Sequence, residues 1–366
     1  MARPFIEINS RRIGAGCPTY VIAELSANHN QDFDQAVKLI EAAKEAGADA
    51  VKLQTYTAKT LTIDCDNPYF RVSGGTLWDG RTLHGLYQEA FTPWEWQPKL
   101  KALADRLGLH FFSTPFDDTA VDFLEQMSVP AHKIASFEIV DLPLVEKVAR
   151  TGKPMIVSTG MASVEEIEEA LATIRAAGGS RVALLKCTSA YPAPPEEMNL
   201  RTIADLAERF SVPAGLSDHT LGWTVPVAAV VVGASIVEKH FTLSRNVAGP
   251  DAAFSLEPDE LKAMVTAIRI AEKSLGGVSY GATPRERASM VFRRSLFVVE
   301  NVRAGEVFTE RNIRSIRPGY GLHTRHVGQF LGKSAARDIQ RGTPLDWSHV
   351  NKLPSDSPQV LTPDAG

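Results

Sequence analysis

The chain contains 366 residues, of which 44% are hydrophobic and 22% are charged, and its formal net charge is −4. This length and composition are typical of a globular protein with one large domain and a smaller one, and the near-neutral charge gives no reason to expect nucleic acid or an anionic membrane as a partner. The amino terminus lacks an apolar core of signal-peptide length, no stretch could span a bilayer, and the three cysteines form no CxxC pair, so we expect a cytoplasmic protein without disulfides or a cysteine metal cluster.

Short runs of β-branched residues alternate with helical patterns from the start of the chain. The first strand is predicted at residues 21–23, and the first helix at residues 33–46, where apolar residues recur at helical spacing and Gly47 can close the helix. The second strand is predicted at residues 50–54. An insertion rich in Gly, Thr, Asp and aromatic residues follows, from Thr55 to about Phe91.

The alternation resumes after the insertion and continues to residue 275. Asp141 and Ser163 are suitable N-cap residues for two of the helices. Eight strand–helix units without a GxGxxG motif favour a closed parallel (β/α)8 barrel over the alternative, a doubly wound open sheet. The further strands are predicted at residues 109–112, 131–135, 155–157, 182–185, 214–216 and 235–237, and helices at residues 93–107, 119–127, 142–150, 164–176 and 258–275.

Polar side chains stand at the end of every predicted strand. All eight carboxyl ends meet at one face of such a barrel, where active sites are built, so we expect these groups to converge there. Burying them without partners would be costly. In strand order they are Glu24; Lys52 and Gln54; Ser113 and Thr114; Lys133 and Ser136; Ser158 and Thr159; Lys186 and Thr188; Ser217, Asp218 and His219; and Glu238, Lys239 and His240.

Lysines and hydroxyl groups at one barrel mouth suit a small, multiply charged anion such as phosphoenolpyruvate or a sugar phosphate. For any one lysine, an ion pair with Glu24, Glu138 or Glu238 inside the barrel is an equal alternative. His219 and His240 end consecutive strands about 4.8 Å apart, so the two imidazoles could share a divalent metal ion. Two separate hydrogen-bonded histidines are the alternative, since no denser ligand motif is present.

Three other features have more than one interpretation. His29 is either a general acid–base group or a loop histidine held by neighbouring asparagines. Cys187 ends the sixth strand without an evident base partner, so we interpret it as a packed thiol. The aromatic residues around the insertion either cover the barrel rim or line a sugar site; they are Trp78, Tyr87, Trp94 and Trp96.

Past Gly276, short runs separated by turn signals replace the alternation. The barrel is predicted to occupy residues 1–280, a linker residues 281–290, and a compact domain of short strands residues 291–352. A domain of that size needs support from the barrel or a partner subunit. Its distinctive segment begins at Arg317 and reads Arg-Pro-Gly-Tyr-Gly. One interpretation of this segment is a rigid turn that carries a surface arginine. Residues 353–366 are predicted to be a flexible tail.

Ordered motifs of the chain are similar to those of the sialic acid (N-acetylneuraminate) synthase family, from about Phe5 to Val350. The carboxyl-terminal segment resembles the antifreeze-protein-like (SAF) domain of that family. The motifs are AELSANHN at 23–30, GADAVKLQT at 47–55, STPFD at 113–117, KIAS at 133–136, STGM at 158–161, Tyr191-Pro192, GLSDH at 215–219 and EKHFT at 238–242.

Within the family, the chain most resembles the branch that makes pseudaminic acid from a 6-deoxy-2,4-diacetamido hexose. The segments that carry this likeness are residues 25–27, 75–80, 92–96 and 186–191. Ser189 stands where N-acetylneuraminate synthases usually have asparagine, and Gln31 replaces a glycine common in the family. N-acetylneuraminate and legionaminic acid synthases, which use other amino sugars, are the alternatives.

The resemblance implies a condensation of phosphoenolpyruvate, an open-chain amino sugar and water, with phosphate released by C–O cleavage. It implies a Mn²⁺-like ion, with Mg²⁺ or Co²⁺ as alternatives, on His219 and His240, and Glu24 as the proton-transfer group. It also implies a domain-swapped homodimer in which Arg317 caps the site of the partner subunit. Phosphate and carboxylate would be held by Lys52, Thr114, Lys133, Ser136, Ser158 and Ser217, and the sugar by Gln54, Glu138, Tyr191 and Asp251.

Two functions outside this family remain as alternatives. A pyruvate-dependent aldolase of barrel fold would need a Schiff-base lysine, for which Lys133 or Lys186 could serve. A carbohydrate-binding protein built on a non-catalytic barrel would not require the two histidines and the lysines together.

Overall fold

The computed structural model describes residues 4–351, which divide after Gly276 into two compact units. The first unit is a closed barrel of eight parallel strands, which confirms the barrel and excludes the open sheet. A hairpin that the sequence did not predict, β1 (Phe5–Ile8) and β2 (Arg11–Gly14), precedes the barrel. The barrel strands are β3 (Tyr20–Glu24), β4 (Ala50–Thr55), β5 (His110–Pro115), β6 (His132–Ile134), β7 (Met155–Ser158), β8 (Val182–Cys187), β9 (Ala214–Asp218) and β10 (Ile236–His240).

Helices connect the strands around the barrel. Four of the predicted helices, at residues 33–46, 142–150, 164–176 and 258–275, begin and end at the predicted residues. Local capping explains this: in the first three, Asp32, Asp141 and Ser163 each accept a backbone N–H from the first turn. The helices of this unit are α1 (Phe33–Ala46), α2 (Ala58–Leu61), α3 (Leu83–Ala90), α4 (Gln97–Leu107), α5 (Asp118–Gln126), α6 (Leu142–Arg150), α7 (Val164–Ala176), α8 (Thr202–Phe210), α9 (Thr224–Val231) and α10 (Pro258–Leu275).

Two helix starts differ from the prediction. The pattern predicted at residues 93–107 divides into a single 3-10 turn, Trp94–Trp96, followed by α4. The helix predicted at residues 119–127 begins one residue earlier, because Asp117 caps it by accepting from Thr119 N and Ala120 N. Gly47 closes α1 as expected, in the left-handed conformation at φ 91°.

Several barrel strands extend further at their carboxyl ends than the apolar runs predicted. Strand β9 continues to Asp218 and β10 to His240, and every residue of β10 is buried. In the register of the barrel, Glu24 is paired with both Lys52 and His240, while Ser217 is paired with Glu238. The ladder therefore brings the polar strand ends to a common level.

The insertion between β4 and α4 contains more structure than a loop. It holds α2 and α3, and a bridge between Arg71 and Thr82 closes a loop within it. Among the described residues, no helix has both the length and the apolar character needed to cross a bilayer.

The second unit begins at Gly277 and has its own apolar cluster, which includes Leu296, Phe308 and Phe330. Residues 281–290, predicted as a linker, contain α11 (Pro284–Arg287) and the start of a 3-10 turn, Ala288–Phe292. Strands β11 (Ser295–Val298) and β12 (Ile313–Ile316) pair antiparallel, and α12 (Val327–Phe330) follows. The predicted tail at residues 353–366 lies outside the described residues.

Candidate active site

Two lysines and two glutamates meet inside the barrel. Lys52 Nζ lies 2.7 Å from Glu24 Oε2 and 3.7 Å from Glu238 Oε1, and Lys133 Nζ lies 3.6 Å from the same Glu238 oxygen. None of these side chains is more than 6% exposed. Two cations facing two carboxylates allow burial without net charge. Both lysines thus form the ion pairs that the sequence left as an alternative to ligand contact.

Hydroxyl groups from neighbouring strands support both ammonium groups. Lys52 Nζ donates to Thr114 Oγ1 at 3.1 Å, and Lys133 Nζ donates to Ser158 Oγ at 2.7 Å. A buried anion would find here two charged donors and two hydroxyls whose positions are already set by β4, β5, β6 and β7. Ser136, a further predicted ligand, is buried nearby, where its hydroxyl accepts from Gly160 N at 3.1 Å.

Burial and charge act in opposite directions on the pKa values of this cluster. Burial lowers the pKa of Lys52, but the carboxylates of Glu238 and Glu24 outweigh burial and the pKa is raised. For Lys133 burial prevails and its pKa is lowered. Burial would raise the pKa of Glu238, but Lys133 and Lys52 hold it below its usual range, and Ser217 Oγ donates to it at 3.4 Å. Glu238 is therefore an ionised partner shared by both lysines.

A chain of hydrogen bonds leads from Glu24 to the loop that follows β10. Gln54 Nε2 donates to Glu24 Oε1 at 3.1 Å and to Ser26 Oγ at 2.9 Å, and the Ser26 hydroxyl donates to the carboxylate of Asp251. Burial raises the pKa of both Glu24 and Asp251. Three predicted site residues thus lie in one polar network, and its members are suited to binding hydroxyls and exchanging a proton.

His219 and His240 lie side by side beyond this cluster, with ring centroids 5.3 Å apart. His219 Nδ1 donates to the carbonyl of Thr188 at 2.9 Å, so in the neutral ring the lone pair is on Nε2. The Cys187 sulfur lies 3.8 Å from the same Nδ1, a partner that the sequence interpretation of Cys187 as an isolated packed thiol missed.

The two imidazoles differ in how they fit a metal ion. Burial would lower the pKa of His219, but the Cys187 sulfur and the Thr188 carbonyl outweigh burial and its pKa is raised, so a bound cation would have to displace a proton there. Burial holds the pKa of His240 well below its usual range, so its ring is neutral, as a ligand must be. His240 Nδ1 is buried without a hydrogen-bond partner, a cost that a cation would remove. Within residues 4–351, no three or more His, Cys, Asp or Glu side chains are grouped to hold a metal, so substrate and water oxygens would supply the remaining ligands.

Aromatic side chains close the histidine side of the site. Tyr191 lies 4.3 Å from His219 between ring centroids, and Phe254 lies 5.0 Å from His240. Trp78, from the insertion, lies 5.5 Å from Tyr191. The other aromatic residues singled out in the sequence pack elsewhere: Tyr87 against Tyr56, Trp94 against Phe123, and Trp96 against His29 and Phe33.

Four of the strand-end residues, Ser113, Lys186, Asp218 and Lys239, do not point into the site, contrary to the expectation that all converge there. Ser113 Oγ lies 2.7 Å from Thr55 Oγ1, which donates to Gln97 Oε1 of α4 at 2.9 Å. Lys239 Nζ donates to Asp218 Oδ2 at 2.5 Å, and both side chains are completely buried on the opposite face of β9 and β10. Lys186 Nζ donates to the Cys187 carbonyl at 2.7 Å. The reason is the two-residue alternation of a strand, which sends neighbouring side chains to opposite faces.

The remaining predicted residues have separate surroundings. His29 accepts from Gln31 N at 3.1 Å and bonds to Thr92 Oγ1 at 3.0 Å, so its partners are not the neighbouring asparagines that were predicted. Burial lowers its pKa to about 4, which supports the loop interpretation over acid–base catalysis. Burial raises the pKa of Glu138 to about 7, and its Oε2 has no hydrogen-bond partner. Arg317 is exposed within the second unit.

Glu238 was predicted as a strand-end residue and as an alternative ion-pair partner of the lysines, but it was given no catalytic or ligand role, although it lies at the centre of the site. The signal was present, because Glu238 and His240 are two residues apart on one strand and must share a face. Ser26, which links Gln54 to Asp251, follows the first strand in the same polar motif as Glu24. Nothing in the sequence indicated the approach of Trp78 to Tyr191, which depends on how the insertion folds.

Comparison with known proteins supplies a second line of observation. The sequence matches the NeuB family over residues 39–280 and the SAF domain over residues 293–351. It is 44% identical over 336 residues to pseudaminic acid synthase of Helicobacter pylori, covering 92% of this chain and 98% of that protein. It is 38% identical over 326 residues to N,N'-diacetyllegionaminic acid synthase of Campylobacter jejuni, covering 88% and 97%. The crystal structure of N-acetylneuraminic acid synthetase from Leptospira borgpetersenii in complex with citrate matches with a TM-score of 0.70 at 31% identity, covering 79% of this chain and 95% of that one.

Proposed function

Because the chain belongs to the NeuB family, we propose that it catalyses the pseudaminic acid synthase reaction. The substrates are phosphoenolpyruvate, 2,4-diacetamido-2,4,6-trideoxy-β-L-altropyranose and water, and the products are pseudaminic acid and phosphate. The observation that carries the proposal is the pair of buried lysines that lie near two histidines at one end of the barrel. The identity of 44% to the Helicobacter pylori enzyme favours this sugar over that of the legionaminic acid synthase, at 38%.

Phosphoenolpyruvate binds where the ammonium groups and hydroxyls converge. Lys52 and Lys133 supply the positive charge for phosphate and carboxylate, and oriented hydroxyls supply further donors. Because Glu238 already faces both lysines, the incoming anion competes with it for the same ammonium groups. The proposed ligands are Lys52, Thr114, Lys133, Ser136, Ser158 and Ser217.

The sugar binds between the polar network and the aromatic side of the site. Gln54, Glu138, Tyr191 and Asp251 contact its hydroxyl and acetamido groups. Glu24 lies at the end of the network nearest the lysines, and its raised pKa suits it to exchange a proton with a sugar hydroxyl or with the attacking water. His219 and His240 would hold a divalent ion, for which we propose Mn²⁺ with Mg²⁺ or Co²⁺ as alternatives, and the bound ion would supply Lewis-acid polarisation of the sugar aldehyde.

The bonds of the reaction balance without a redox partner. The C2=C3 electron pair of phosphoenolpyruvate forms a C–C bond to the aldehyde carbon of the open-chain sugar, whose oxygen takes a proton. Water adds to the positive C2 and loses its proton. The resulting tetrahedral carbon expels phosphate together with the bridging oxygen, the remaining proton of its hydroxyl passes to the departing phosphate, and C2 becomes the ketone. The C–O bond breaks, so an ¹⁸O label in the bridging position should appear in the phosphate.

Arg317 completes the site from a second subunit, in a homodimer whose SAF domains cap the partner barrels. The support within this chain is that Arg317 is exposed while its loop is held firmly. Ser295 Oγ donates to Pro318 O at 2.6 Å and accepts from Gly321 N at 2.9 Å. An exposed guanidinium on a rigid turn suits capture of a carboxylate.

The test is phosphate release from phosphoenolpyruvate and Mn²⁺ with three sugars supplied separately. They are the 2,4-diacetamido-trideoxy altrose, its legionaminic-type isomer, and N-acetylmannosamine. Release with the first sugar alone is the expected result. Release with one of the others would keep the chemistry and change the substrate, whereas no release with any of them would refute the synthase.

The metal is tested by binding as well as by activity. EDTA should abolish phosphate release, and Mn²⁺ should restore it. His240→Gln should weaken Mn²⁺ binding, followed by the EPR signal of the free ion, by more than the ~10- to 100-fold typical of losing a supporting residue. Unchanged Mn²⁺ affinity in this variant would exclude His240 as a ligand.

A further inference from the structure

Residues 72–81 form a loop of the insertion that is braced by its own hydrogen bonds. Val72 N donates to Arg81 O at 2.8 Å, which closes the base of the loop. At its tip, the Asp79 carboxylate accepts from Gly75 N at 2.8 Å. Most of its side chains are exposed, so burial in a core does not determine its conformation. The loop is held by local bonds and by whatever its few inward-facing side chains touch.

Trp78 is the inward-facing residue that reaches the site. Its indole lies 5.5 Å from the ring of Tyr191, which itself lies 4.3 Å from the ring of His219. Trp78 Nε1 donates to the carbonyl of Pro250, 172 residues away in the sequence, at 3.0 Å. Pro250 immediately precedes Asp251, the end of the polar network. Trp78 thus connects the insertion to the loops of Tyr191 and Asp251, two of the four proposed sugar contacts.

We propose that Trp78, together with Tyr191, forms the apolar wall of the amino-sugar subsite and selects sugars that carry methyl groups where common hexosamines carry hydroxyls. This inference rests on the proposed function and names a specificity-determining residue for it. The polar side of the subsite is formed by Gln54 and Asp251, linked through Ser26. The aromatic side offers rings rather than hydrogen-bond partners.

The chemistry of the candidate sugars explains the selection. The 2,4-diacetamido-trideoxy altrose has a methyl group at C6 and an acetamido group at C4, whereas N-acetylmannosamine has a hydroxymethyl and a hydroxyl group. An aromatic face gains contact area from a methyl group, but leaves a buried hydroxyl without a partner. Apolar walls discriminate such differences by about 10- to 200-fold, so the effect is a measurable ratio rather than an absolute exclusion.

The experiment compares kcat/KM for both sugars and KM for phosphoenolpyruvate in four proteins: wild type, Trp78→Ala, Trp78→Phe and Tyr69→Ala. Tyr69 is the matched control, an aromatic residue of the same insertion that is 89% exposed. We expect Trp78→Ala to raise KM for the diacetamido sugar about tenfold or more. The ratio of kcat/KM for this sugar to kcat/KM for N-acetylmannosamine should fall by a similar factor. KM for phosphoenolpyruvate should stay within twofold. Trp78→Phe keeps a ring but loses the bond to Pro250, so it should retain most of the preference.

An unchanged sugar KM in Trp78→Ala would overturn the inference. So would equal losses for sugar and phosphoenolpyruvate, which would indicate a structural role for the loop. Binding of each sugar can also be followed by tryptophan fluorescence in wild type and in Trp78→Phe. This measures the contact between the sugar and Trp78 without turnover. If wild type binds the diacetamido sugar with a Trp78-dependent signal but does not consume it, the proposed function fails and the wall stands. If wild type consumes that sugar and the fluorescence signal does not depend on Trp78, the proposed function stands and the inference about Trp78 fails.

Discussion

Glu238 faces both interior lysines, so an anionic substrate must compete with the Glu238 carboxylate to bind them. Lys52 has a second carboxylate partner in Glu24, at 2.7 Å, whereas Lys133 faces Glu238 and the Ser158 hydroxyl. An anion that displaces Glu238 therefore gains most at Lys133, whose positive charge is less fully compensated. At the residue scale, the affinity for phosphoenolpyruvate should depend strongly on this lysine.

Lys133→Met is expected to lower kcat/KM for phosphoenolpyruvate by about 100-fold or more, since losing one member of a buried charged pair costs ~2–5 kcal/mol. Lys186→Met is the matched control, because its Nζ donates to a backbone carbonyl instead of joining the central cluster. Steady-state kinetics, with circular dichroism to confirm folding, measure both. Equal losses in the two variants would contradict the assignment.

The same lysine tests the aldolase alternative. A synthase forms no imine, so incubation with pyruvate and borohydride should leave the protein mass unchanged. A mass increase that disappears in Lys133→Met or in Lys186→Met would establish Schiff-base chemistry and replace the proposed function.

Glu138 gives the protein a pH-dependent stability at a defined position. Burial raises its pKa from 4.5 to about 7, with smaller effects of Lys133, which lowers it, and Asp141, which raises it. Between pH 4.5 and about pH 7, Glu138 is more often protonated in the folded state than in the unfolded state. The free energy of unfolding therefore falls as pH rises through this window, and the ionised carboxylate destabilises the fold above it.

Glu138→Gln should remove this dependence. We expect the variant to gain on the order of 1–3 kcal/mol relative to wild type on going from pH 5 to pH 8. Urea unfolding of both proteins at the two pH values measures it, and the difference cancels the other titrating groups. Parallel pH profiles for the two proteins would mean that Glu138 titrates normally.

At the scale of the element, strands β9 and β10 use their two faces for different purposes. Ser217 and Glu238 are neighbours in the ladder and face the lysines, whereas Asp218 and Lys239, one residue further, form a completely buried pair on the other face. Lys239 also donates to the carbonyl of Thr220. One face thus carries the candidate site, and the other fixes the register of the strands that position it.

Lys239→Met should destabilise the fold by about 3–5 kcal/mol, because it leaves the Asp218 carboxylate buried without a cation. The double variant Asp218→Asn/Lys239→Met should lose less than the sum of the two single variants. Urea unfolding across the four proteins of the cycle measures the coupling. Additive losses would indicate that the two side chains stabilise the barrel independently.

At the scale of the whole molecule, the chain consists of two units with separate apolar cores. The first contains the candidate site, and the second contains Arg317, which we propose to act on the site of a partner subunit. A homodimer that exchanges its second units would complete two sites at once, and this arrangement has a direct functional consequence.

Mixing Arg317→Ala with Lys52→Met should restore activity to part of the population. Each variant alone is expected to be inactive, but a hybrid dimer holds one barrel with an intact Lys52 facing an intact Arg317 from its partner. Random mixing would return up to about a quarter of wild-type activity, since half of the dimers are hybrids with one competent site. Phosphate release after unfolding and refolding the mixture measures it. Absence of recovery, with hybrid formation verified by differential tags, would exclude action across subunits.

Much of this architecture follows from local sequence. Apolar runs and N-caps such as Asp141 and Ser163 define where elements begin, because hydrogen bonds of the first helical turn involve only neighbouring residues. The order of eight strand–helix units is sufficient to predict the barrel, since parallel strands of this kind close with their carboxyl ends together. The polar residues that end the strands could therefore be assigned to one end of the barrel before their contacts were known, although strand alternation turns some of them away from the site.

The partners of those residues were decided by the tertiary structure. The sequence placed Lys52, Lys133, Lys186 and Lys239 in one group. Strand alternation, a local signal, turns Lys186 and Lys239 to other surroundings, but only barrel closure brings Lys52 and Lys133 to Glu238. The contact of Trp78 with Pro250 likewise joins positions 172 residues apart. Such contacts depend on strand stagger and loop path, which are set by packing over the whole barrel and leave no periodic signal in the local sequence.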